Sequence, residues 1–423
     1  MGIALQGLRV IDLGRVWSGP LTTRILADFG AEVVKVESQA GRGAFSGPSA
    51  RQNSLTEDFP DRDPGKRPWN RIGMFNDLNR NKLSLTLDLS QSEGVAIFKK
   101  LVLVSDIVVE NYTPRVMTNF GLGYTALKKI KPDIIMLSMP AYGMTGPYHE
   151  FPGYGNTIEP VAGLTDLTGY YGEQPEPLGM IAGDVLAALH GVSALMIALR
   201  QKNQSGNGQY IDLSQAETQT SIIGEHILGF QMTERDPERM GNSHPSQAPH
   251  GCYRCKGEDD WVAISVASDE EWNRLCLAMG ETALASNEKY HDQLSRWQNQ
   301  PELDAIIRNW TMKFDHIEVM QKLQHQAVCC GPVFKGKEIL SDRHLLERRF
   351  FVDITQADTG TYRYAGNPIK LSKSPATFTL PAPLLGEHNE RILGKLLGLD
   401  NTEVRNLIQK GIIGDRPPDA PAK

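Results

Sequence analysis

The chain has 423 residues, too many for one ordinary hydrophobic core, so two lobes are expected. Apolar residues at 40% and charged residues at 22% describe an ordinary globular chain, and a net charge of −6 without a basic cluster argues against a nucleic-acid-binding surface. Five cysteines make no disulfide framework, and the opening "MGIALQGLRVIDLG" lacks a charged region followed by a long apolar run, so a cytoplasmic protein with reduced thiols is expected.

The β-branched run "LRVIDL" (8–13) predicts a buried strand. After the turn "GRVWSGP", the apolar spacing of Leu21, Ile25, Leu26 and Phe29 predicts a helix, with Gly30 closing it. "AEVVKVE" (31–37) is a second strand, giving a β-α-β unit and hence a parallel sheet. Residues 38–72, rich in Gly, Pro, Ser, Arg and Asp, form a long loop. "KLSLTLDL" (82–89) predicts a strand, "SEGVAIFKKLVLVS" (92–105) a helix capped by Ser92, and "DIVVEN" (106–111) and "DIIMLSMPAYG" (133–143) strands flanking the helical "GYTALKKIK". The fifteen residues Val185–Leu199 are almost wholly apolar and helix-forming, but too short to span a bilayer. Helical sequence continues to about Met232, strands are expected near 251–266, and no internal repeat occurs.

The expected organisation is a large α/β lobe over 1–214, a helical linker over 215–245, a small α+β lobe over 246–330, and a return segment over 331–423 that completes the large lobe. The first β-α-β unit mimics a dinucleotide fold, but Gly14 and Gly19 do not make G-x-G-x-x-G, so NAD or FAD binding is not indicated. The free N–H groups of its turn can still hold phosphate or carboxylate.

His244, His250, Cys252 and Cys255 offer zinc-type ligands, yet the remaining spacings are wrong for a finger. The two cysteines also fall on opposite faces of a strand, so no metal is expected. Cys329-Cys330 reads as core, and the histidines lack a G-x-S-x-G elbow. Asp184, at the head of the apolar helix, is a good N-cap residue. A carboxylate at a helix N-terminus is also favoured as the anion, the form that covalent carboxylate catalysis needs. Gly183 before it can let a substrate approach closely.

Seven blocks in order resemble the family III CoA-transferases, the CaiB/BaiF family: "GLRVIDLGRVWSGPLTTRILADFGAEVVKVE", "NRNKLSLTLDL", "DIVVENYTP", "GYG…GD", "APHGCYRCKGEDDWVAI", "CGPV" and "PLLGEHNERIL". The resemblance implies a Rossmann-like large lobe with a parallel sheet, a smaller lobe, and two chains threaded as an interlocked homodimer or a heteromer with a homologous subunit. It implies no tightly bound cofactor, with coenzyme A and acyl-CoA as substrates. Asp184 would be the nucleophile that passes CoA from an acyl-CoA such as succinyl-CoA to a carboxylic acid. Backbone N–H groups near Gly183–Asp184 or in the 241–251 loop would stabilise the oxyanions.

Arg15, Val16, Trp17, Ser18, Leu87, Asn111, Tyr112 and Tyr154 would contact coenzyme or substrate. Ser38, Ser90 and Asn119 stand where basic residues hold CoA in the branch acting on formyl-CoA and oxalate, so Arg42 or Arg115 would hold the phosphates here. Trp17 replaces a glutamine of that branch and suits a bulkier acid such as benzylsuccinate. The racemases of the same fold carry a histidine where this chain has Tyr154; a tyrosine is a poor base at neutral pH, which favours transfer. An acyl-CoA racemase, or a non-catalytic subunit of a heteromeric transferase, are the rival readings.

Overall fold

The computed structural model describes residues 2–39, 59–179, 182–418 and 420. The chain divides into two compact units, Met1–Leu164 with Pro177–Met232 and Leu346–Lys423, and Thr165–Glu176 with Thr233–Leu345.

The larger unit is built on six parallel strands: β1 (Arg9–Asp12), β2 (Glu32–Glu37), β3 (Lys82–Thr86), β4 (Ile107–Glu110), β5 (Ile135–Ser138) and β6 (Tyr210–Asp212). Their order is β3-β2-β1-β4-β5-β6, the doubly wound arrangement. Both faces are covered, which is why the strands read as apolar runs. Ile11, Val34, Leu85, Val108 and Met136 point to one face. There they meet Phe98 and Leu101 of the Ser92–Leu103 helix, Leu127, and Ile392, Leu407 and Ile412 near the end of the chain. Val10, Val33, Ile107, Val109 and Leu137 point the other way, onto Leu26 of the first helix and onto Ala187, Leu195 and Ala198.

The first helix spans Ser18–Asp28. Gly30 closes it in the left-handed region at φ +96°, and the Ala31 N–H donates to the Leu26 carbonyl at 3.1 Å. The next predicted helix starts at Ser92 itself, with Gln91 in the cap position, so Ser92 is not its cap. The long helix runs Ala182–Ser205. It outruns the apolar stretch that suggested it and is long and apolar enough to cross a membrane by length and composition. Ala187, Ala188, Gly191, Leu195 and Ala198 are nonetheless buried within the unit.

The smaller unit holds the antiparallel strands β7 (His250–Arg254), β8 (Trp261–Ser265) and β9 (Cys329–Pro332), in that order. Helices 269–279, 300–311 and 316–325 pack on them around the fully buried Trp272. Cys252 in β7 is exposed and Cys255, just past its end, is buried, as continued alternation requires. Arg296 is buried and satisfied by the Ala248 and Tyr290 carbonyls at 2.9 and 3.1 Å and by Asp269 at 2.8 Å.

Two segments belong to this unit although the sequence placed them in the large lobe and the return segment. In 165–176, Asp166 and the Glu173 carbonyl are held by Arg239 at 3.0 Å each. In 331–345, Lys335 pairs with Asp260 at 2.8 Å and Glu338 with His316 at 2.8 Å.

Candidate active site

In a doubly wound sheet the crevice opens where the strand order reverses, here between β1 and β4. The chain leaves β1 in a strap, Gly14–Pro20, that turns back into the first helix. A Cβ on Gly14 would lie 2.8 Å from Gly19 Cα, and one on Gly19 2.7 Å from Gly14 Cα. The two glycines therefore close the strap on itself, which explains their spacing without a dinucleotide. At its crest Val16 adopts φ +60°, a left-handed conformation costly for a β-branched residue.

Asn111, just beyond β4, clamps the strap. Its Oδ1 accepts the Arg15 N–H at 2.7 Å, and its Nδ2 donates to the Arg15 carbonyl at 2.8 Å and to Ser18 Oγ at 3.0 Å. The Ser18 N–H in turn donates to Asp184 Oδ1 at 3.3 Å. Ser18 is the first residue of its helix, and Trp17 ahead of it supplies no side-chain cap. Asp184 fills that role across helices: its carboxylate caps the first helix while standing in the first turn of its own.

Asp184 is 7% exposed. Burial pushes its carboxyl up to about 6, and the Ser18 bonds pull the other way. The sequence argument from helix-end charge anticipated a favoured anion; desolvation outweighs it. The result is a carboxylate still ionised at pH 7 and more basic than an exposed one.

Asp184 lines a cleft of about 350 Å³ with Arg15, Val16, Asn111, Tyr112, Tyr154 and Gln215. A smaller cleft of about 80 Å³, on Arg15, Val16, Glu37, Ser38 and Tyr112, shares the strap as a wall. Tyr112 is held neutral by burial, which raises its phenol to about 12. Tyr154 is 65% exposed at the cleft rim, its backbone N–H bonded to Thr157 Oγ1 at 2.9 Å.

Of the residues expected at the site, these gather around Asp184, with Ser18 joined by its hydrogen bond. The others lie elsewhere. Leu87 is 2% exposed inside the core of the sheet. Arg115 pairs with Glu150 at 3.4 Å on the surface. Arg42 lies outside the described residues. Trp17 packs with Leu21, Met74, Leu78 and Ala188 and does not line either cleft, so the argument from it to a bulky acid such as benzylsuccinate falls.

Gly183 also has a different reason from the one expected. A Cβ there would lie 2.5 Å from Gln219 Cδ and 2.7 Å from its Oε1. The glycine admits the buried Gln219 amide rather than a substrate. Gln215 and Gln219 were missed, because polar residues one helical turn apart carry no signal of their own in sequence.

The family model for CoA-transferase family III matches residues 5–389. The chain belongs to CoA-transferase family III. Its relatives in this family include the succinyl-CoA–D-citramalate CoA-transferase of Chloroflexus aurantiacus, 32% identical over 97% of this chain and 98% of that one. The β subunit of the succinyl-CoA–L-malate CoA-transferase of the same organism is 34% identical over 97% and 98%. The succinate–glutarate CoA-transferase of Agrobacterium fabrum is 30% identical over 94% and 97%. Among solved structures, a CaiB/BaiF family protein from Brucella suis superposes with a TM-score of 0.83 at 28% identity, covering 94% of this chain and all of that one. A family III CoA-transferase takes CoA thioesters as substrates.

Proposed function

We propose that this CoA-transferase moves CoA from succinyl-CoA to a short dicarboxylic acid of the malate, citramalate or glutarate kind, with Asp184 as nucleophile. The observation that carries the reading is Asp184 itself: a buried, basic carboxylate on the wall of the cleft at the sheet's switch point. The acids named for its relatives support the substrate class.

The Asp184 carboxylate attacks the succinyl thioester carbonyl, and the C–S bond breaks to give a mixed anhydride and CoA thiolate. The thiolate attacks the aspartyl carbonyl, releasing succinate and leaving an aspartyl-CoA thioester. The acceptor carboxylate attacks that thioester, again expelling thiolate and forming a second anhydride. Thiolate then attacks the acceptor's acyl carbon, and Asp184 returns as the free carboxylate. No net proton moves. In the two middle steps, where the aspartyl carbon is attacked, the oxyanion forms on the Asp184 oxygen that now accepts the Ser18 N–H, a donor fixed in place beforehand. Arg15 lines the same cleft and supplies positive charge for the substrate's second carboxylate.

A homologous partner chain is part of the proposal. Leu189 (50% exposed), Ile197 (69%), Leu228 (57%) and Met232 (76%) leave apolar surface on two helices that a second chain would cover. Relatives titled α and β subunits favour such a partner. The test is to incubate the purified protein with succinyl-CoA and each acid in turn. A new CoA ester with one of them is expected; no ester from any, with the protein folded and its native mass known, would overturn the reading.

A further inference from the structure

Three charged residues lie behind the strap, Lys35 among them also lining the smaller cleft. Asp12 ends β1, Lys35 lies in β2 and Lys82 opens β3, and all are buried, at 0, 5 and 0% exposure. Asp12 Oδ1 accepts the Gly14 N–H at 2.7 Å, and Lys35 Nζ donates to the Gly14 carbonyl and lies 3.4 Å from Asp12 Oδ1. Lys82 Nζ spends its three protons on Asp12 Oδ2, the Pro20 carbonyl and Asn79 Oδ1, each at 2.9 Å. Thr23 Oγ1 completes the Asp12 carboxylate at 2.7 Å. Burial pushes Lys82 down to about 7 against the pull of Asp12.

Such a group is a poor stability device. Taking charged groups from water is costly, and apolar side chains of like volume often do as well or better. What the group achieves is geometric. It grips the strap at both ends, by the Gly14 N–H and carbonyl and by the Pro20 carbonyl, while Asn111 grips its middle. Between the grips Val16 is held at φ +60°, a strained conformation that persists only where the surroundings over-determine it. Ser18 lies between the same grips.

We propose that Asp12, Lys35 and Lys82 are a positioning unit for Asp184, setting the Ser18 N–H against its carboxylate through the Gly14–Pro20 strap. This rests on the reading of Asp184 as nucleophile. Asp12 and Lys82 line neither cleft, and the unit acts through the strap.

The Ser18 bonds lower the Asp184 pKa, so loosening the strap raises it. The test is the pH profile of kcat/KM in Lys82→Met, which keeps the stem and removes the charge. The acid limb, expected at about 6 in the unaltered enzyme, should move to higher pH. The value of kcat should fall by roughly a hundredfold, the loss expected from slight misplacement of a reacting group, with KM for succinyl-CoA little changed. Thr23→Val removes one bond to Asp12 without altering charge, and gives a smaller shift in the same direction should Lys82→Met not fold. An unmoved limb in both variants, with activity lost only in proportion to folded protein, would overturn the positioning unit. Asp184→Ala, run beside them, separates the two readings. Activity surviving there would overturn both; activity abolished there with an unmoved limb in the strap variants would overturn the positioning unit alone.

Discussion

Replacing Asp184 by asparagine should make the protein more stable at pH 8 while abolishing transfer. The carboxyl is 7% exposed, and burial raises it from 3.8 to about 6. That rise is worth about 3 kcal/mol between the two protonation states. A folded-state pKa above the unfolded one gives a contribution fully present below 3.8 and lost as the pH climbs through about 6. Above that range the ionised carboxylate therefore costs the fold about 3 kcal/mol. Asparagine has nearly the same volume, carries no charge, and its Oδ1 can still accept the Ser18 N–H. Urea titrations of the two forms, at one protein concentration and several pH values, measure the difference. The asparagine form should be more stable by about 2–3 kcal/mol at pH 8, and by about half as much at pH 5. Equal stability at every pH, or a less stable variant at pH 8, would refute the argument that burial governs this carboxyl.

Three further outcomes follow from the same geometry. The value of kcat/KM should fall tenfold per pH unit below about 6, as Asp184 is protonated; a rate flat from pH 5 to pH 8 would contradict this. Asn111→Ala removes the bonds at 2.7, 2.8 and 3.0 Å that clamp the strap, and steady-state kinetics should give a kcat lowered about a hundredfold. In Gly183→Ala the new Cβ meets Gln219 Cδ at 2.5 Å, at a cost of about 1–3 kcal/mol by thermal unfolding. Adding Gln219→Ala should restore part of that loss, because it removes the atoms in collision.

The large unit was legible because its strands are buried on both faces. β-branched runs such as "LRVIDL" and "DIVVEN" have no other comfortable place, and the helices between them carry their own apolar spacing. Asp184 stood out as a lone carboxylate heading an apolar helix. Its partners did not, because they come from residues far apart in sequence. Ser18 is 166 positions away and Asn111 is 93 positions from Ser18.

Gly183 misled in the opposite sense. It suggested room for a substrate, whereas it admits the Gln219 amide, just as Gly14 and Gly19 admit each other. One signal was present and unread: Lys35 lies between Val34 and Val36 in a strand that reads as buried, and a lysine in such a place must have a buried partner. Trp17 carried the weakest inference, since a large side chain beside a site can as readily face the core, as it does here.

The most direct test of the account is a peptide mass spectrum after mixing with succinyl-CoA in the absence of an acceptor acid. The peptide carrying Asp184 should gain a CoA thioester on that residue, and the adduct should vanish when acceptor is added. Turnover with the Asp184 peptide unmodified, or an adduct on a different carboxylate, would contradict it.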